Sequence, residues 1–143
     1  MGRLNKETKA HLAVCDFLRL YHPRVMFHSD TGSGIKLSKI QAILMARLRK
    51  MRGHPDLLIY IPIGNYVGMM IELKADGVVL YKKDGTLRKD KHIEEQCRYM
   101  EYLTSVGWAC TFATGTGEAV ELIESYLNGR FQGHVRFKNM LHN

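Results

Sequence analysis

Acidic residues are missing from one stretch of this chain. Between Thr31 and Gly53 there is none, while Lys36, Lys39, Arg47, Arg49, Lys50 and Arg52 all fall there. Over 143 residues the chain has 21 lysines and arginines against 14 aspartates and glutamates, a net charge of +7. That excess favours a polyanionic partner, nucleic acid before membrane. Proline is scarce too, three in all, and no low-complexity tract occurs, which argues against long disorder. Cys15, Cys97 and Cys110 are odd in number, widely spaced and without a CxxC pair, so neither a disulfide framework nor a zinc ribbon is expected. They read as reduced and buried. The histidines form no HExxH or zinc-finger spacing. His92-Ile93-Glu94 has the HxE of a zinc deaminase, but no PCxxC follows it. Apolar runs such as Leu57–Ile61 are far too short to span a bilayer. The opening Met1–Glu7 lacks an apolar signal core, so the expected location is the cytoplasm, without membrane contact.

The length suits one domain. The expectation is a single domain over 1–143, with a core at about 5–128 and a basic tail at 129–143. A first helix is predicted from Asn5 to Tyr21, its inward stripe Leu4, Glu7, His11, Val14, Cys15 and Leu18, ended by Pro23. Val25–His28 is a strand candidate, with Gly32 and Gly34 marking a loop. Ser38-Lys39-Ile40-Gln41 is a capping box, so a second helix should begin there with Ile40, Leu44, Leu48 and Met51 inward, stopped by Gly53 and Pro55. Strands at Asp56–Pro62 and Tyr66–Lys74 flank Gly64-Asn65, the strongest hairpin signal in the chain. A smaller hairpin, Val78–Lys82 with Thr86–Arg88, is expected around Asp84-Gly85. A third helix should span Asp90–Val106, a strand Trp108–Ala113, and a fourth helix Glu118–Asn128. Gly115-Thr116-Gly117 reads as a turn with Thr116 near the helix cap, because the third glycine of a dinucleotide loop is replaced by Val120. This order predicts an α/β fold, one mixed sheet flanked by helices.

The hairpin carries the chemistry. Alternation puts Glu72 and Lys74 on one face and turns Ile71 and Leu73 into the core. If Pro62 pairs with Tyr66 across the connection Ile63-Gly64-Asn65, Asp56 falls opposite Glu72. Directly opposed side chains have Cβ atoms ~5 Å apart, and two carboxylates at that distance repel unless a cation lies between them. A hard divalent ion with oxygen ligands, such as Mg²⁺, suits the pair. A metal lowers the pKa of water for phosphodiester hydrolysis, and Lys74 can orient that water or hold the phosphate's developing charge.

Gly53-His54-Pro55-Asp56 followed by Ile71-Glu72-Leu73-Lys74 resembles the PD-(D/E)xK nuclease superfamily. More narrowly it is similar to the virus-type replication-repair nucleases, the VRR-NUC family, in its stand-alone phage and bacterial form. Glu7 in the first helix and Gln96-Cys97-Arg98-Tyr99 before Gly107 match the rest of that pattern, over roughly Glu7 to Ala113. The resemblance implies a restriction-endonuclease-like core of a mixed sheet between helices. It implies Asp56, Glu72, Lys74 and Gln96 as catalytic residues. Glu7, Asp56, Glu72 and the Leu73 backbone carbonyl would be ligands to Mg²⁺ or Mn²⁺. The function implied is a metal-dependent endodeoxyribonuclease acting on branched DNA such as four-way junctions, as a homodimer. Lys36, Lys39, Arg47, Arg49, Lys50 and Arg52 would then contact DNA.

Plainer readings exist for each residue. Asp56 after proline is an ordinary turn choice, Glu72 with Lys74 a surface ion pair, and Glu7 a first-turn carboxylate favoured by the helix dipole. His54 reads as loop filler, Tyr99 as helix packing, and Asp76 as a turn residue before Gly77. The alternative function is a catalytically inactive nucleic-acid-binding module with the same fold. Loss of activity should first erode Asp56, Glu72 and Lys74, and all three are present.

Overall fold

The computed structural model describes residues 3–30 and 37–133. Asn5 caps the first helix by accepting from the Thr8 N–H at 2.7 Å, and α1 runs Lys6–Tyr21. Four strands, β1 (Phe27–Ser29), β2 (Leu57–Ile59), β3 (Gly68–Lys74) and β4 (Trp108–Thr114), form one sheet in the order β1-β2-β3-β4. The first two pairings are antiparallel and β3–β4 is parallel. A parallel pair needs a crossover, supplied by α3 (Lys91–Ser105), and α4 (Gly115–Leu127) follows β4. The fold is the expected α/β arrangement of a mixed sheet between helices.

Strand alternation divides the core in two. Met69, Ile71 and Leu73 pack with Val14 and Leu18 of α1 and Ile123 and Tyr126 of α4. Met70 faces the other way, with Cys97, Met100 and Leu103 of α3 and with Leu80 and Leu87. β3 is therefore covered on both sides, which explains its nearly unbroken apolar run. Cys15, Cys97 and Cys110 are free and buried. Desolvation pushes the Cys97 and Cys110 thiols up to about 12, so both stay protonated. Among the described residues, no helix is long and apolar enough to cross a membrane.

Several boundaries differ from expectation. Leu4 is exposed, and the buried stripe of α1 is Ala10, His11, Val14, Cys15 and Leu18. The Val25 N–H bonds back to His22 in the turn leaving α1, so β1 starts at Phe27. The expected register holds in the ladder, where Leu57 pairs with Ile71 and Ile59 with Met69. The turn is one residue tighter: Ile63, rather than Pro62, pairs with Tyr66 across Gly64-Asn65. Tyr60, Ile61 and Pro62 therefore face only Val67 and Gly68, a bulge placed where Pro62 has no N–H to give. The second hairpin is reduced to one bridge, Tyr81 with Leu87. At α4 the helix begins at Gly115, so Thr116 lies inside it and Thr114 is the cap residue. Gly115, at φ +82°, turns the chain from β4 into the helix in one residue.

The second helix, α2 (Lys39–Arg47), has its capping box: Gln41 N–H donates to Ser38 Oγ, and the Ser38 N–H donates to the Gln41 side chain. It ends well before Gly53, because the chain must turn to dock that glycine, at φ +95°, against α3. None of its residues is buried, so Ile40, Leu44, Leu48 and Met51 do not form the inward face expected of them. Gly32, Gly34, Lys36 and the tail from His134 onward lie outside the described residues.

Candidate active site

All the relevant chain ends meet at one end of the sheet. Ser29 pairs with Leu57 and Lys74 with Thr114, so the end of β1, the start of β2 and the ends of β3 and β4 lie side by side. The Gly53–Asp56 loop is pinned there. A Cβ on Gly53 would meet the Glu95 carbonyl carbon and oxygen at 2.5 Å and the Gln96 nitrogen at 2.7 Å, so only glycine allows this approach to α3. The His54 ring stands edge-on to Tyr99, with centroids 5.1 Å apart, and its Nδ1 is 2.6 Å from the Pro55 carbonyl oxygen. The G-x-P-D loop thus packs on the Q-x-x-aromatic segment of α3 at two points, Gly53 on the Glu95–Gln96 backbone and His54 on Tyr99.

Asp56 comes out of that loop buried. Its Oδ1 accepts the Leu73 N–H at 2.9 Å, and its Oδ2 lies 3.1 Å from His11 Nε2. His11 Nδ1 in turn is 2.6 Å from Ser29 Oγ. The carboxylate thus fills the gap where β2 has not yet begun, tied to β3 on one side and to α1 on the other. The Leu73 amide points to this gap. In extended backbone a residue's N–H and C=O face the same edge, so the Leu73 carbonyl faces it too.

Glu72 is 5% exposed. Its Oε1 accepts from Gln96 Nε2 at 2.8 Å and lies 3.4 Å from Lys74 Nζ. Its pKa is pushed up to about 8, first by desolvation and then by the negative charges of Asp56 and Glu7, against the pull of Lys74. The carboxylates are thus close enough to resist sharing one charge state, and Lys74 alone does not compensate. Glu7, His11 and Asp56 bring one ligand-capable atom each to within 4.8 Å of one another. Gln96 Oε1 is buried without a hydrogen-bond partner among the described residues, an acceptor awaiting a donor such as ordered water. The donors drawn together, two carboxylates and an imidazole, suit a divalent cation, with the Leu73 carbonyl beside them, while Glu72 lies outside this cluster.

Of the residues expected from sequence, Glu7, Asp56, Glu72, Lys74, Gln96 and the Leu73 backbone are placed together at this end of the sheet. Asp76 lies with its carboxylate against Gly115, at the start of α4. Lys39, Arg47, Arg49, Lys50 and Arg52 are all exposed, on α2 and the segment after it. The sequence pattern gives His11 only as part of the apolar stripe of α1 and does not single out Ser29. The available signal was Glu7-x-x-x-His11, two donors on one helix face at i, i+4.

No protein-family model matches the chain, and no curated protein matches it. A solved structure of a VRR_NUC domain protein does, with a TM-score of 0.64 over 92% of this chain and 99% of that one, at 21% identity. The chain has the VRR-NUC fold. Near-complete coverage of both chains means that the VRR-NUC fold accounts for the whole sheet and its helices, not for a local motif.

Proposed function

We propose that this chain is a divalent-metal-dependent endonuclease acting on DNA. The observation that carries the reading is the meeting of acidic groups at one end of the sheet: Glu7, His11 and Asp56 within 4.8 Å of one another, and buried Glu72 on β3 with Lys74 Nζ 3.4 Å from its carboxylate. Two mutually repelling, desolvated carboxylates are costly to a fold unless a cation uses them. The VRR-NUC fold supports the same reading.

Asp56, Glu72, Glu7 and the Leu73 carbonyl would hold Mg²⁺ or Mn²⁺, and His11, braced by Ser29, fixes the orientation of Asp56. The bound ion supplies a Lewis acid and a water of lowered pKa. Lys74 orients the attacking water and stabilises negative charge on the phosphoryl oxygens. Gln96 holds Glu72 through Nε2 and offers Oε1 to a water hydrogen. Lys39, Arg47, Arg49, Lys50 and Arg52 supply phosphate contacts on the flank of α2.

The substrate we favour is branched DNA, such as a four-way junction, cut by a two-fold dimer. One small site makes one nick, whereas a two-fold assembly places equivalent sites on opposing strands. The test is incubation with labelled four-way, flapped, linear and single-stranded DNA in Mg²⁺, Mn²⁺ or chelator. Paired symmetric nicks in junctions, dependent on metal, are expected. Metal-dependent cutting confined to flaps or ends would remove the junction preference, and no cutting of any DNA would remove the activity.

A further inference from the structure

One donor in the cluster of Glu7, His11 and Asp56 is not an oxygen. His11 brings an imidazole that is 2% exposed into a place otherwise built from carboxylates. Glu7 and His11 stand at i, i+4 on α1, the spacing at which two side chains on one helix face can reach a single ion.

The spacing of the atoms suits that use. His11 Nε2 and Asp56 Oδ2 are 3.1 Å apart. Two ligands at right angles about one ion, each ~2.1 Å from it, are ~3 Å apart. The pair is thus already placed as neighbouring ligands, and Glu7 brings a third atom within 4.8 Å. The second ring nitrogen is held as well. Nδ1 lies 2.6 Å from Ser29 Oγ, and the Ser29 hydroxyl also meets the buried Cys15 thiol. A histidine that binds a metal gives its other N–H to such a partner, which fixes the tautomer and leaves the first nitrogen as a lone pair. In that tautomer Nε2 and Asp56 Oδ2 turn lone pairs toward each other inside the fold, a contact that only a cation between them makes favourable. Glu7 is only partly buried, which leaves that side of the cluster open to an incoming ion.

We infer that His11 binds the ion through Nε2 and makes the site select a first-row transition ion, such as Mn²⁺, over Mg²⁺. This rests on the metal-dependent reading proposed above and adds one role to it: the nitrogen that orients Asp56 in the metal-free protein becomes a ligand when the ion is present. Carboxylate and carbonyl oxygens serve Mg²⁺ and Mn²⁺ alike, whereas Mg²⁺ gives up water reluctantly and imidazole favours transition ions. One nitrogen among oxygens therefore tilts the choice without excluding Mg²⁺.

The test reads the metal and not cleavage. Metal-free protein is titrated with Mn²⁺ and separately with Mg²⁺ by calorimetry, and the Mn²⁺ complex is examined by pulsed electron paramagnetic resonance. Wild-type protein should bind Mn²⁺ at least ~10-fold more tightly than Mg²⁺ and show the modulation of a directly bound imidazole nitrogen. His11→Gln keeps a side chain that can bond to Asp56. It should lose the nitrogen signal and at least ~10-fold in Mn²⁺ affinity while Mg²⁺ affinity changes little. The wild-type spectrum decides the nitrogen whether or not the variant folds. Bound Mn²⁺ without a nitrogen signal, or equal losses for both ions in His11→Gln, would overturn the inference and leave the nuclease reading standing. A wild-type protein that binds neither ion would overturn both.

Discussion

Glu72 shows how much one carboxylate can report. Its pKa of about 8 means that the folded protein keeps a proton that the unfolded chain, near 4.5, gives up. The folded state then binds more protons across that window, so this group's contribution to stability falls as pH rises from about 4.5 through 8. A divalent ion bound beside Glu72 would displace the proton and reverse the penalty. The melting-temperature gain on adding Mn²⁺ should therefore be larger at about pH 8.5 than at about pH 6.5, and Glu72→Gln should abolish the difference. A metal-induced gain equal at both pH values would contradict this. Asp56→Asn should lower cleavage at least ~10²-fold, and combining it with Glu72→Gln should cost far less than the product of the two, measured in single-turnover assays. The positions of Asp56 and Glu72 were legible because the period sets the face of each residue and the bulge at Tyr60–Pro62 restores the register that the sequence implied. His11 was not, because a histidine inside an apolar helical stripe has the same spacing whether it is packed or braces a carboxylate. Only the fold brings Ser29, 18 residues away in sequence, against its other nitrogen.

Among the elements, the Gly53–Asp56 loop and α2 carry opposite lessons. The glycine of G-x-P-D was visible as a helix stop, but its reason is the α3 backbone 2.5 Å from where a Cβ would sit. Gly53→Ala combines that clash with a strained φ and should destabilise by about 3 kcal/mol or more in urea titrations. Gly64→Ala, at φ +58° in open space, should cost only about 1 kcal/mol. Equal costs would mean that the loop is not docked on α3. The start of α2 was readable from its capping box, while its burial was not. Period-3.6 spacing marks an apolar face without saying whether anything covers it. The one-residue error at Gly64-Asn65 has a similar root, since the bulge at Tyr60–Pro62 absorbs it without disturbing the ladder that sets the site.

At the scale of the molecule, composition pointed to a polyanion and element order to a mixed sheet between helices, and the latter is the fold observed. The parallel pairing of β3 with β4 follows from the helix between them, and it places Lys74 and Thr114 side by side. The basic segment after α2 should show itself in salt dependence. DNA affinity should fall with a log–log slope near −0.9 per neutralised phosphate, and Lys50→Glu with Arg52→Glu should flatten it. An unchanged slope would take this segment off the binding face. The central claim, a hydrolytic site assembled around Glu72, is met most directly at Lys74. With a labelled four-way junction in excess enzyme and Mn²⁺, wild-type protein should cut and Lys74→Ala should be slower by at least ~10²-fold, with binding in Ca²⁺ retained. Cleavage by Lys74→Ala at the wild-type rate would contradict the account.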